Sequence, residues 1–144
     1  MAYDRVLVAI DFSHDSLAAL ASVRELARRL GGELVLLHVS EAADVVPGSD
    51  LAKRDRAKWQ AELDAEVEQL RAAGLRARAI IRPGYPVAEG IVEAAREEKA
   101  DLIVVGSPGR SGFAERLLGS VTDTVIGTAE CPVLVMCRPR SNAG

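Results

Sequence analysis

The chain has 144 residues, 49% apolar and 27% charged, with a formal net charge of −3. That composition is long and apolar enough to bury a core and excludes a disordered chain; no apolar run approaches a membrane span. Both signs of charge are interspersed, without the basic excess of a broad nucleic-acid surface, so neither nucleic acid nor a membrane is expected as a partner.

Aromatic residues are 3% of the chain, so the core must be aliphatic. The segment Met1 to Val6 runs almost directly into a strand-like stretch without a secretory pattern, which predicts a cytoplasmic location. The cysteines, Cys131 and Cys137, lie six residues apart. On one strand they would be about 20 Å from each other, too far to bridge, and they read as buried structural thiols. The whole chain, 1–144, reads as one domain.

Val6-Leu7-Val8-Ala9-Ile10 is a continuous apolar run, the pattern of a strand covered on both faces, and Asp11-Phe12-Ser13 ends it. A helix is expected from His14 to Leu30, with Leu17, Leu20, Val23, Ala27 and Leu30 along one side and Gly31-Gly32 as its stop. Leu34 to Val39 reads as a second buried strand. Residues 40–49 form a loop containing Pro47-Gly48, after which Asp50 is expected to cap a helix running to Ala73. Trp59, Leu63, Val67 and Leu70 fall at core spacing on that helix.

Leu75 to Ile81 is a strand of a different kind. Arg76, Arg78 and Arg82 share one parity, which suits an edge and predicts a solvated face. Pro83-Gly84 makes a turn. Val87, Ile91, Ala94 and Ala95 mark a third helix ending near Lys99, and Asp101 precedes a fourth strand, Leu102 to Val105. A fourth helix is expected from Ser120 to Gly127-Thr128, a fifth strand from Cys131 to Met136, and a tail from Arg138 to Gly144.

Strands and helices alternate throughout, which predicts an α/β fold: a five-stranded parallel sheet with helices on both faces. An order of 3-2-1-4-5 puts the arginine-lined strand on an edge and strands one and four side by side. Asp11 and Gly106 then face each other at the crevice where such sheets bind ligands. The fifth strand is an edge with apolar residues on both faces. That predicts a homodimer pairing through residues 132–136.

The chemistry concentrates after the fourth strand. Gly106-Ser107-Pro108-Gly109 is followed, with nine residues intervening after Gly109, by Gly119-Ser120-Val121. Glycines let a backbone approach an anion closely, and free amides at a helix N-terminus point at it. The dinucleotide fingerprint belongs after the first strand, where the turn Asp11-Phe12-Ser13-His14 has no glycine. A P-loop needs a lysine before its Ser or Thr, and Leu118 and Gly119 precede Ser120. His38 reads as packed or hydrogen-bonded and His14 as a surface residue, neither being fixed in a catalytic triad.

The array G-x-x-G, nine residues, G-S resembles the ATP-binding signature of the universal stress protein family. Val6 to Ser13, Leu36-Leu37-His38-Val39, Asp101 to Ser107, Leu117 to Val121 and Cys131 to Val135 resemble the family in the same order. The resemblance implies the Rossmann-like fold just described. It also implies a regulatory protein of the stress response that binds ATP, ADP or AMP, with or without Mg2+. It implies that Asp11 and the Val39 backbone meet the adenine, and that Gly106, with the backbone near Val105, lies against the ribose. Gly109, Gly119, Ser120 and Val121 would hold the phosphates. Ser120 can also cap its helix, and Arg110 can add a charge-assisted contact. Pro108, in the variable pair of the motif, has no N–H to donate.

Two other readings share this architecture. A slow ATPase or autokinase needs a metal and a positioned water or hydroxyl. Asp11 is the single carboxylate expected near the site and the glycine loop has no lysine, so binding without efficient turnover is expected and no catalytic residue is assigned. A nucleotide-free dimeric interaction module is the third reading, favoured by Pro108.

Overall fold

A computed structural model describes residues 3–12, 14–40, 48–83, 86–106 and 119–136. Five strands and four helices alternate along these residues: β1 (Arg5–Ala9), α1 (His14–Leu30), β2 (Glu33–Ser40), α2 (Asp50–Ala72), β3 (Ala77–Pro83), α3 (Val87–Glu97), β4 (Leu102–Gly106), α4 (Ser120–Thr128) and β5 (Val133–Met136). The strands form one parallel sheet in the order β3-β2-β1-β4-β5, as the sequence predicts.

The near-continuous apolar runs of β1, β2 and β4 arise because each strand is covered on both faces. Val6, Val8, Leu34, Leu36, Leu102 and Val104 point to one side, where Leu20, Val23 and Ala27 of α1 and Leu63, Val67 and Leu70 of α2 cover them. Leu7, Val35, Leu37, Ile103 and Val105 point to the other side, against Ile91, Ala94 and Ala95 of α3 and Val125 of α4.

The register is fixed at the amino end by one carboxylate. Asp101 Oδ2, just before β4, accepts the amides of Asp4 at 2.8 Å and Arg5 at 2.9 Å, just before and within β1. A second close approach lies at the start of β2. A Cβ on Gly32 would stand 2.1 Å from the Tyr3 carbonyl oxygen, so a residue without a side chain lets the two segments pass.

Four local expectations are corrected. The cap of α2 is Ser49, whose Oγ accepts the Ala52 amide at 3.2 Å; Asp50 is the first helical residue, and its charge meets the positive end of the helix dipole. Leu17 does not join the core stripe of α1 and is 36% exposed. At 100° per residue it sits roughly a quarter of a turn from the stripe centred on Leu20, Val23 and Ala27.

The third correction concerns the arginines. Arg78 and Arg82, on the even-numbered face of β3, look toward the end of α3 rather than solvent, while Arg76, just before the strand, is exposed as expected. Arg78 pairs with Glu33 at 3.1 Å and with Glu98, Arg82 pairs with Glu97, and Arg76 donates to the Gly31 carbonyl at 3.0 Å. The carboxylates of Glu98 and Glu33 hold the Arg78 guanidinium above its ordinary pKa despite its partial burial. The fourth concerns Cys131. It is half-buried and precedes β5, which starts at Val133, so it is neither a core thiol nor a strand residue. Cys137 lies outside the described residues.

Candidate functional site at the carboxyl end of the sheet

Val8 of β1 pairs with Val104 of β4, so the carboxyl ends of the two central strands lie side by side. The crossover from β1 runs through α1 to β2 on one side of it. The next neighbour of β1 on its other side is β4, so the strand order reverses here and leaves a crevice beyond the strand ends. Asp11, exposed, stands at the end of β1, and Gly106, half-buried, closes β4. Val39, near the end of β2, and Val105 are buried on the α3–α4 face. These four predicted residues come together at one end of the sheet.

The N-terminus of α4 belongs to the same end. Residues 129–132 are all that separate α4 from the amino end of β5, so α4 must run antiparallel to the strands. Its nine residues carry its first turn about 13 Å toward their carboxyl ends. The N-cap is Gly119, in extended backbone, and no side-chain cap hydrogen bond is made there among the described residues. Ser120 is the first helical residue and exposed, which corrects the expectation that it caps the helix. Its carbonyl accepts the Thr124 hydroxyl at 2.8 Å. Val121 is half-buried against the α3–α4 core, while Thr122 and Val125 are fully turned inward. This arrangement directs amides and the positive end of a helix dipole past the end of β4, the elementary requirements of an anion site. Gly109 and Arg110, and with them Ser107 and Pro108, lie outside the described residues.

On the α1–α2 face of the same end, the structure shows a feature that sequence reasoning missed. Phe12 follows Asp11 with a left-handed backbone, φ 64°, a conformation that costs a residue with a side chain about 1–2 kcal/mol. Its ring stacks on Trp59 of α2, centroids 5.0 Å apart and planes 12° apart, and meets the His38 ring at 5.0 Å. His38 and Trp59 meet at 4.8 Å, so the three rings form a closed cluster. His38 is buried, and its Nδ1 lies 2.8 Å from the Ile10 carbonyl oxygen, the hydrogen-bonded role expected of it. The Ile10 amide in turn donates to the Leu37 carbonyl at 2.7 Å. Trp59 was legible as a core position, but its stacking on residue 12 leaves no periodic trace in the chain.

Among the described residues no group of three or more His, Cys, Asp or Glu side chains is placed to hold a metal ion. No helix among them is long and apolar enough to cross a membrane.

A doubly wound parallel α/β domain with a glycine-capped helix N-terminus at the carboxyl end of its sheet is the class that fold and site define. A sequence model of the Universal stress protein family matches residues 2–136. Universal stress protein YxiE of Bacillus subtilis is 33% identical over 147 aligned positions, covering 93% of this chain and 99% of its own. Universal stress protein MJ0577 of Methanocaldococcus jannaschii is 30% identical, covering 96% and 98%. A solved structure of MJ0577 superposes with a TM-score of 0.84 over 98% of this chain and 100% of that one, at 31% identity. A crystal structure of a universal stress protein in complex with cAMP has a TM-score of 0.72 at 30% identity, covering 95% and 98%. The chain belongs to the universal stress protein family.

Proposed function

We propose that this protein binds an adenine nucleotide at the carboxyl end of its sheet and acts as a regulatory member of the stress response in the cytoplasm. The observation that carries the reading is the first turn of α4, whose N-cap is Gly119, at the same end of the sheet as exposed Asp11. The relative solved with cAMP supports an adenine nucleotide as the ligand class.

In this reading Asp11 and the Val39 backbone meet the adenine, and Val105 and Gly106 lie against the ribose. Gly119, Ser120 and Val121 offer amides to the phosphates, joined by Gly109 and Arg110 from the glycine loop. Asp11 is a hydrogen-bond acceptor, suited to the exocyclic amine of adenine. No reaction step follows from these groups, and the proposal is binding of ATP, ADP or AMP with regulation of a partner. If Mg2+ accompanies a triphosphate, it is brought with the ligand.

The same reading includes a homodimer. All four residues of β5 are half-buried, Val133 and Val135 on one face and Leu134 and Met136 on the other. An edge of that kind is suited to pairing with a second copy across a twofold axis.

The test is mass analysis of small molecules released by denaturing freshly purified protein. An adenine nucleotide in near-stoichiometric amount is expected. Protein that carries none, and takes up none when incubated with millimolar ATP, contradicts the proposal.

A further inference from the structure

We propose that the Phe12–His38–Trp59 ring cluster is a positioning device that sets the turn carrying Asp11 and couples helix α2 to adenine recognition. The inference rests on the nucleotide reading above and names the residues that regulate its specificity.

The cluster grips both peptide neighbours of Asp11. On the amino side, the Ile10 carbonyl lies 2.8 Å from His38 Nδ1, and the Ile10 amide is held by Leu37. On the carboxyl side, the Phe12 ring is stacked on Trp59 at 5.0 Å. A phenylalanine keeps a left-handed backbone only where its surroundings over-determine it, and here the side chain is fixed by two rings. Releasing the Phe12 ring lets the backbone leave φ 64° and swings the next residue toward the chain start, Asp11, out of its orientation.

Trp59 is the movable member of the three. Phe12 and His38 sit on the sheet's end, whereas Trp59 belongs to α2, a helix whose first eight residues contribute no buried side chain. Its indole is half-buried, and Lys58 Nζ lies 5.0 Å from the ring centroid. A displacement of α2 therefore reaches Asp11 through one stacked pair, without passing through the sheet. By linkage, a nucleotide that orders the Asp11 turn must also tighten α2.

Adenine presents an amine where guanine presents a carbonyl, so a correctly aimed Asp11 carboxylate favours ATP over GTP. A merely structural loss weakens both nucleotides alike, whereas loss of positioning lowers the ATP-to-GTP affinity ratio. The experiment is calorimetric titration of ATP and of GTP into the wild type, Trp59→Ala and Trp59→Phe. Trp59→Ala is expected to weaken ATP by about tenfold, the equivalent of one charged hydrogen bond, with GTP nearly unchanged. Trp59→Phe, which keeps a stacking ring, is expected to restore the wild-type ratio.

Trp59 is the only tryptophan, so wild-type emission supplies a second measurement that needs no variant. Saturation with ATP is expected to change it. An unchanged ATP-to-GTP ratio in folded Trp59→Ala, or unchanged emission at calorimetrically verified saturation, overturns the positioning role. If Trp59→Ala does not fold, the emission result decides. Wild-type protein that binds neither nucleotide overturns the nucleotide reading itself and this inference with it.

Discussion

One oxygen of Asp101 accepts the amides of both Asp4 and Arg5, tying the residue before β4 to the start of β1. The two strands so joined are the ones whose opposite ends carry Gly106 and Asp11. Their register is thus held at the amino end, remote from the crevice, by hydrogen bonds to a charged acceptor. This leaves the carboxyl end open for a ligand.

Asp101→Ala should therefore destabilise the fold by about 2 kcal/mol, within the range for hydrogen bonds to charged groups. Urea unfolding should show a lower midpoint with an unchanged slope. A loss below about 0.5 kcal/mol, the scale of an ordinary surface substitution, would mean that the carboxylate does not hold the register.

The paired glycines after α1 make a second, internally controlled prediction. Gly31 has φ +75° and open space around its Cβ position, whereas a Cβ on Gly32 meets the Tyr3 carbonyl oxygen at 2.1 Å. Gly31→Ala should cost about 1 kcal/mol of backbone strain. Gly32→Ala should cost about 3 kcal/mol, because backbone atoms must move apart. Thermal unfolding of the two variants checks the order, and the reverse order would refute the close approach.

Much of this architecture was readable in the chain. The unbroken apolar runs of β1, β2 and β4 announce strands buried on both faces. The arginines at 76, 78 and 82 suit an edge, the place the order β3-β2-β1-β4-β5 gives that strand. What the arginines face was not readable, because Glu97 and Glu98 reach Arg82 and Arg78 only once α3 has crossed back over the sheet. The cap of α2 was misplaced by one residue because Ser49 and Asp50 are both competent caps and only backbone geometry chooses between them. At the site, the placing of Asp11 opposite Gly106 follows from strand order and the Gly119–Val121 segment from glycine spacing, whereas Val39 and Val105 were named only by the family resemblance. The ring cluster follows from none of these, since residues 12, 38 and 59 come together only in three dimensions.

Cys131 gives a pH-dependent prediction. Burial first, then the negative charges of Asp101 and Glu130, push its thiol pKa up. The thiolate is the nucleophile, so at any mildly alkaline pH a smaller fraction of Cys131 is reactive. With Cys137→Ser removing the other thiol, iodoacetamide should alkylate the folded protein more slowly at pH 8 than an unstructured cysteine peptide. Its rate should rise only at more alkaline pH. Glu130→Gln should move that profile back toward lower pH, and a profile at or below the peptide's would contradict the assigned environment.

Nucleotide binding itself is tested most directly by the thermal unfolding of wild type and Asp11→Ala across a series of ATP concentrations. Wild type should show a saturable, concentration-dependent rise in Tm, about 2.7 kcal/mol of added stability at a hundredfold excess over Kd. Asp11→Ala should need a higher concentration to reach the same rise. No rise in the wild type up to millimolar ATP, and none with AMP or cAMP, would contradict an adenine-nucleotide site at this end of the sheet.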